Sequence, residues 1–242
     1  MTDSSAAKSI TMGFTSCFLI QCDGGYLMID TNLPGTYNRF LQQLDGIGVD
    51  LRDVRYLLLT HHHDDHAGLA ADLLRDTGAR LIVHELAIPM LQKGELDSPF
   101  TEKGMATGRF LNPWIRRTMA FLSMLVRRKW GYPPVEVSDR DLVIRGDNAD
   151  LLGEIGIDGA ILCTPGHSPD SISVVLADGS AFVADAAMNF MRFFGTQYRP
   201  IYAEDYEAVS DSWRKLIEHG ASVIYTAHGA PFSADELKRR LV

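Results

Sequence analysis

The chain has 242 residues, enough for one large core or two small ones. Its 46% hydrophobic and 22% charged residues are ordinary for a globular protein, and a net charge of −8 excludes a general nucleic-acid footprint. Cys17, Cys22 and Cys163 form no disulfide framework, the first eight residues lack the order of a secretory signal, and no apolar run approaches the ~20 residues that span a bilayer, so the expected compartment is the cytoplasm.

In chain order, residues 10–30 read as two short strands around a turn at Asp23-Gly24-Gly25, whose glycines supply the positive φ of a hairpin loop. The second strand ends in Asp30-Thr31-Asn32, where the Asp30 carboxylate is either a turn former or a support for a metal ligand. Apolar positions Tyr37, Phe40, Leu41, Leu44 and Ile47 recur at helical spacing. A strand from Val54 to Leu59 then runs into Thr60-His61-His62-His63-Asp64-Asp65-His66-Ala67-Gly68. Side chains alternate along an extended segment, so His61 and His63 point to one side and can grip one ion together. Asp65 and His66 turn away from that pair and can hold a second ion beside it. Imidazole plus carboxylate suits zinc, and also iron, manganese or nickel. A chance His-rich tract is the competing reading, but such tracts belong in floppy tails rather than at a strand end.

Leu69, Leu73 and Leu74 continue as an amphipathic helix to Gly78, and a strand from Arg80 to Val83 leads to His84. His84 falls outside any ligand spacing and reads as a core or supporting histidine. Residues 88–135 break the alternation of strand and helix. Between 98 and 130 the charge is +6, leaving −14 for the remainder. Asn112-Pro113 reads as a helix start and Trp114 to Trp130 as a basic amphipathic helix. Three roles compete for it: wall of a substrate pocket, which would involve Trp114, contact of a homodimer, or contact with an anionic membrane surface.

Strand signals return at Leu142–Ile144, Leu151–Ile155 and Ala160–Cys163, followed by the loop Thr164-Pro165-Gly166-His167-Ser168-Pro169-Asp170. A hairpin, Ile172–Leu176 and Ser180–Ala184, ends in Asp185. After Tyr198 and Tyr202 come a helix from about Asp205 to His219, a strand from Ser222 to Thr226 ending in Ala227-His228-Gly229, and a short helix from Ser233 to Val242. No linker interrupts this series, so a single domain over 1–242 is expected. One pattern recurs four times: an apolar strand, then a metal-capable side chain at its C-terminal end. Five of the eight histidines occupy such ends.

The His-x-His-x-Asp-His tract, Thr-Pro-Gly-His, the strand-ending Asp185 and Ala-His-Gly together resemble the metallo-β-lactamase superfamily, in its lactonase and glyoxalase II-like branch. The resemblance runs from Asp30 to Pro231. It implies an α/β fold, an αββα sandwich of two mixed β-sheets flanked by helices, here with a helical insertion at 98–135. It also implies two divalent ions, zinc first, with iron or manganese as alternatives. His61, His63 and His167 would hold one ion. Asp65, His66 and His228 would hold the other, with Asp185 bridging and Asp30 supporting the site without ligating. Two cations sharing a water lower its pKa from roughly 15.7 toward 7, so a bridging hydroxide would cleave a small ester, lactone or thioester, with Asp65 orienting it. The lactonases place a tyrosine three residues after the bridging aspartate, where this chain has Met188; Tyr198 or Tyr202 would have to reach the site instead. Alternatives are a phosphodiesterase acting on a small or lipid-like substrate, a mononuclear-iron sulfur dioxygenase, and a non-catalytic metal-binding sensor. A small-molecule substrate and no nucleic acid are expected as partners.

Overall fold

A computed structural model describes residues 7–94, 114, 131–190 and 195–241. Six strands form the first sheet, in chain order: β1 (Ala7–Met12), β2 (Thr15–Cys22), β3 (Gly25–Ile29), β4 (Val54–Leu58), β5 (Arg80–His84) and β6 (Leu142–Ile144). The first three are antiparallel and the rest parallel. Parallel neighbours need crossovers; helices α1 (Tyr37–Gly46), α2 (Asp64–Ala67) and α3 (Ala70–Thr77) lie in two of them, and α4 (Ile88–Lys93) follows β5. The expected single hairpin over 10–30 is a three-stranded meander. Gly13, at φ +69°, makes a further tight reversal that a lone glycine announces only weakly.

Five strands form the second sheet, in the order β11-β10-β9-β8-β7: β7 (Gly159–Cys163), β8 (Ile172–Leu176), β9 (Ser180–Ala184), β10 (Val223–Thr226) and β11 (Phe232–Ser233). Helices α5 (Leu151–Glu154), α6 (Tyr206–Glu218) and α7 (Asp235–Lys238) complete this half. Leu151–Ile155, expected as a strand, is therefore mostly helical. Its start is set by Asn148, whose Oδ1 accepts from the amides of Asp150 and Leu151 at 3.1 and 2.8 Å. The C-terminal segment forms the short strand β11 before it turns helical, so the expected helix from Ser233 is shorter.

Period-two alternation sorts β2 between two cores. Cys17 and Leu19 pack with Phe40, Leu44 and Leu73 against the helices of the first sheet. Phe18 and Ile20 face Ile161, Val174 and Phe182 of the second sheet. A third core joins the outer face of the second sheet to α6, around Trp213. The result is the αββα sandwich. Trp213 is fully buried, and its indole N–H donates to the Ala186 carbonyl at 2.7 Å, which ties α6 to the segment carrying Asp185. The basic helix expected at 114–130 lies outside the described residues apart from Trp114, which is 80% exposed. No helix among the described residues is long and apolar enough to cross a membrane.

Candidate metal centre

The C-terminal ends of β4, β7, β9 and β10 meet at one edge of the sandwich, and the chain between them is held by short, specific bonds. Asp30, at φ +59°, closes β3 and faces the end of β4. Its Oδ1 accepts from the Thr60 amide at 2.8 Å, and its Oδ2 accepts from the Thr60 hydroxyl at 2.8 Å. The same Oδ2 lies 2.8 Å from His66 Nδ1. One buried carboxylate thus aims both the His61 segment and His66. In the second sheet, Gly166 lies so close to α6 that a Cβ there would meet the Val209 amide at 2.5 Å, which explains the glycine before His167. Asp185 follows Ala184, a non-glycine residue at φ +44°.

The donor atoms converge. His63 Nδ1 lies 3.1 Å from His61 Nε2 and 3.0 Å from His167 Nε2. Asp185 reaches His66, His167 and His228 at 3.6, 3.5 and 3.1 Å, and Asp65 reaches His66 and His228 at 3.6 and 3.3 Å. Three groups of potential ligands result: His61, His63 and His167; His61, His66 and Asp185; and Asp65, His66 and His228, each with its ligand atoms within 4.8 Å of one another. Three of the histidines are oriented from behind. Nδ1 of His167 faces the Tyr202 carbonyl at 2.8 Å, Nδ1 of His228 faces the Phe14 carbonyl at 3.0 Å, and Nδ1 of His66 faces Asp30. Carbonyl and carboxylate oxygens only accept, so Nδ1 of each ring carries a proton and Nε2 is the atom turned toward the cluster.

Comparison with known proteins agrees with this geometry. Residues 10–228 match the metallo-beta-lactamase superfamily. The chain belongs to that superfamily. Among curated relatives of this metallo-beta-lactamase superfamily chain, the "Probable metallo-hydrolase YflN" of Bacillus subtilis is 24% identical over 98% of this chain and 89% of its own length. The "Uncharacterized protein YobT" of the same organism is 32% identical, but over only 32% of each chain. Among solved structures, BJP-1, a subclass B3 metallo-beta-lactamase of Bradyrhizobium japonicum, superposes with a TM-score of 0.64 at 20% identity, over 98% of this chain and 86% of that one. At that identity the likeness speaks for the fold alone.

Whether this superfamily member's residues suit a metal can be judged from the unsatisfied atoms. His66 Nε2 and Asp185 Oδ1 are buried with no hydrogen-bond partner. Leaving two such atoms unpaired costs about 1–3 kcal/mol each, and a divalent cation between them would satisfy both. The spacing agrees as well: ring nitrogens on one tetrahedral ion stand about 3.3 Å apart, given metal–nitrogen bonds of about 2.0–2.1 Å. Burial, then the neighbouring rings, hold His61 well below the ordinary histidine range, and burial and His167 do the same for His63. Both rings are therefore neutral, the form that ligates. Burial works against charge on His66, yet Asp65 and Asp30 push it up to about 9, and Asp185 carries His228 well up in the same way. Asp65 and Asp185 are held below the ordinary carboxylate range against burial, Asp65 by His66 and His228, Asp185 chiefly by His228 and His167.

All seven residues expected as ligands lie in this cluster, and Asp30 lies behind it. Tyr202 is close, its ring centroid 5.7 Å from that of His167 and 6.4 Å from that of His63. Tyr198, expected in the pocket, is instead buried in the third core, its ring 4.3 Å from Phe232 and 4.7 Å from the Arg240 guanidinium. Its ring packs under the second sheet because φ of +72° turns the chain there. Trp114 is exposed, and the segments on either side of it, where the pocket wall was expected, lie outside the described residues. His84 accepts from the Leu86 amide at 3.2 Å and starts a short helical turn, a structural role.

The sequence pattern did not disclose a clamp behind the histidines. Asp170 Oδ2 accepts from the His62 amide at 2.9 Å and lies 3.0 Å from His62 Nδ1. The Tyr132 hydroxyl donates to the His62 carbonyl at 2.6 Å. Burial pushes Asp170 up, but His62 outweighs it and holds the carboxyl at about 2. The clamp joins the loop of His61 and His63 to the loop of His167. A carboxylate inside an otherwise Gly/Pro-rich loop was the one signal of it.

Proposed function

We propose that this chain is a metal-dependent hydrolase of a small ester, lactone or thioester. The observation that carries the reading is the convergence of nitrogen and carboxylate ligands at one sheet edge, with His66 Nε2 and Asp185 Oδ1 buried there without hydrogen-bond partners. His61, His63 and His167 would hold one divalent ion and Asp65, His66 and His228 a second, with Asp185 between them; zinc suits this donor set. Bound ions would supply a Lewis acid for the scissile carbonyl and a water-derived nucleophile at neutral pH.

The protein's own groups orient and exclude. Asp30, Tyr202 and Phe14 fix three histidine rings through Nδ1, so their inward nitrogens need no rearrangement on loading. Asp65 is the more exposed of the two clustered carboxylates, at 15% against 8% for Asp185, and the Thr15 hydroxyl donates to it at 3.2 Å. Asp65 is thus the group placed to take a proton from an attacking water and pass it toward the leaving group. Cys163 does not compete as a nucleophile, because burial raises its thiol above the ordinary range.

The test pairs metal analysis with turnover. The purified protein and Asp65→Ala are assayed on lactone, thioester, aryl ester and phosphodiester panels with zinc or manganese supplied. Turnover of a carbonyl substrate that is lost in the variant is the expected result. Turnover confined to phosphodiesters, or none at all with ions bound, would overturn it.

A further inference from the structure

Asp65, His66 and His228 are each held from behind by bonds that trace back to one tripeptide, Asp30-Thr31-Asn32. Asp30 faces the His66 ring at 2.8 Å. Thr31 holds the backbone of the same histidine: its amide and its hydroxyl donate to the His66 carbonyl at 2.7 and 2.6 Å. Asn32 turns the other way. It is buried, and its Oδ1 accepts from the Leu33 amide at 2.9 Å. That bond leaves Nδ2 to donate to the Thr15 and Met12 carbonyls, at 3.3 and 3.5 Å. Met12 and Thr15 are paired across the β1–β2 turn, so one amide group spans both of its ends.

Three consecutive residues of that turn then reach the second half of the cluster. The Phe14 carbonyl accepts from His228 Nδ1 at 3.0 Å. The Thr15 hydroxyl donates to Asp65 Oδ2 at 3.2 Å. The Ser16 amide donates to the Ala227 carbonyl at 2.9 Å, which docks the turn onto the strand end that carries His228. These bonds end on Asp65, Ala227 and His228, and none ends on His61, His63 or His167.

We infer that Thr15 is a positioning residue for the carboxylate-rich half of the centre, set in place by Asn32. The inference rests on the two-ion reading above and extends it to residues that would not touch an ion. The two oxygens of Asp65 have different surroundings: Oδ1 lies 3.6 Å from His66 Nε2, and Oδ2 lies 3.3 Å from His228 Nε2. A carboxylate turns about χ2 within a broad well, so nothing in the side chain itself keeps either oxygen in place. The buried Thr15 hydroxyl gives Oδ2 a fixed donor, which stops that rotation and leaves Oδ1 to an ion or a proton.

Zinc binding to the full-length, metal-free protein, measured by competition with a chromophoric chelator and without substrate, tests this. The unaltered protein should show two steps, and the one lost in Asp65→Ala marks the carboxylate-rich half. Thr15→Val keeps the branched shape and removes the hydroxyl; it should weaken that step by about 10–100-fold and leave the other unchanged. Thr15→Ser should recover most of the loss, and Asn32→Ala, which acts only through the turn, should weaken the same step by less. Equal weakening of both steps in Thr15→Val, weakening of neither, or a Thr15→Ser protein no better than Thr15→Val would overturn the assignment. So would a Thr15 amide NMR signal in the unaltered protein that stays still while the Asp65 step fills, a readout that stands even if Thr15→Val does not fold. If the unaltered protein takes up fewer than two ions, the two-ion reading fails, and the role of Thr15 falls with it.

Discussion

The two halves of the cluster use the same residue type under opposite electrostatic bias. His61, His63 and His167 bring three ring nitrogens to within 3.0–3.1 Å contacts around His63, and burial and mutual repulsion hold His61 and His63 neutral. His66 and His228 stand among Asp65, Asp30 and Asp185, and their protonated forms are favoured. The carboxylate-rich half can satisfy itself with protons, while the histidine half has no charge of its own to balance a lone-pair nest. An incoming cation therefore meets preformed neutral ligands on one side and displaces protons on the other.

Deleting the residue common to both sides should break the comparison outright. Asp185→Ala is expected to leave fewer than two ions per chain and to cut kcat/KM by at least about a thousandfold, as loss of a metal-assisted nucleophile implies; plasma emission spectrometry that still counts two ions would refute the bridging assignment. Asp65→Ala should be more selective, emptying the carboxylate-rich half while the histidine half keeps one ion, which stepwise chelator titration can resolve. Asp170→Asn acts on the other side alone. It removes the charge behind His62, and the tighter or looser of the two binding steps, whichever belongs to the histidine half, should weaken by about 10–100-fold with the other unchanged. The smallest effect belongs to His84→Ala, outside both halves: loss of a capping acceptor should cost about 1 kcal/mol of stability with metal content unaltered, and an ion lost there would mean that His84 belongs to the centre.

What was legible in the sequence was local. His61, His63, Asp65 and His66 sit in one tract whose spacing fixes their directions, and His167, Asp185 and His228 were visible because each ends an apolar strand. The αββα layering was implied by the family resemblance that those residues carry. The clamp was not legible, because His62 and Asp170 are 108 residues apart and only the docking of two sheets brings them together. Leu151–Ile155 misled because a five-residue apolar run fits strand or helix equally, and the Asn148 side chain decides in favour of helix. Tyr198 was chosen for its nearness in sequence to Asp185, which does not constrain a side chain when the intervening loop reverses at positive φ.

Every strand of the first sheet lies before Arg145, and every strand of the second after Asp158. Each of the three ligand groups draws two members from the first stretch and one from the second. Neither stretch alone holds a complete set. If the chain were cleaved between Arg145 and Asp158 and the two fragments mixed, stoichiometric metal uptake would report their reassembly, and the ion would act as the rivet of a fragment complementation whose strength follows the free metal concentration.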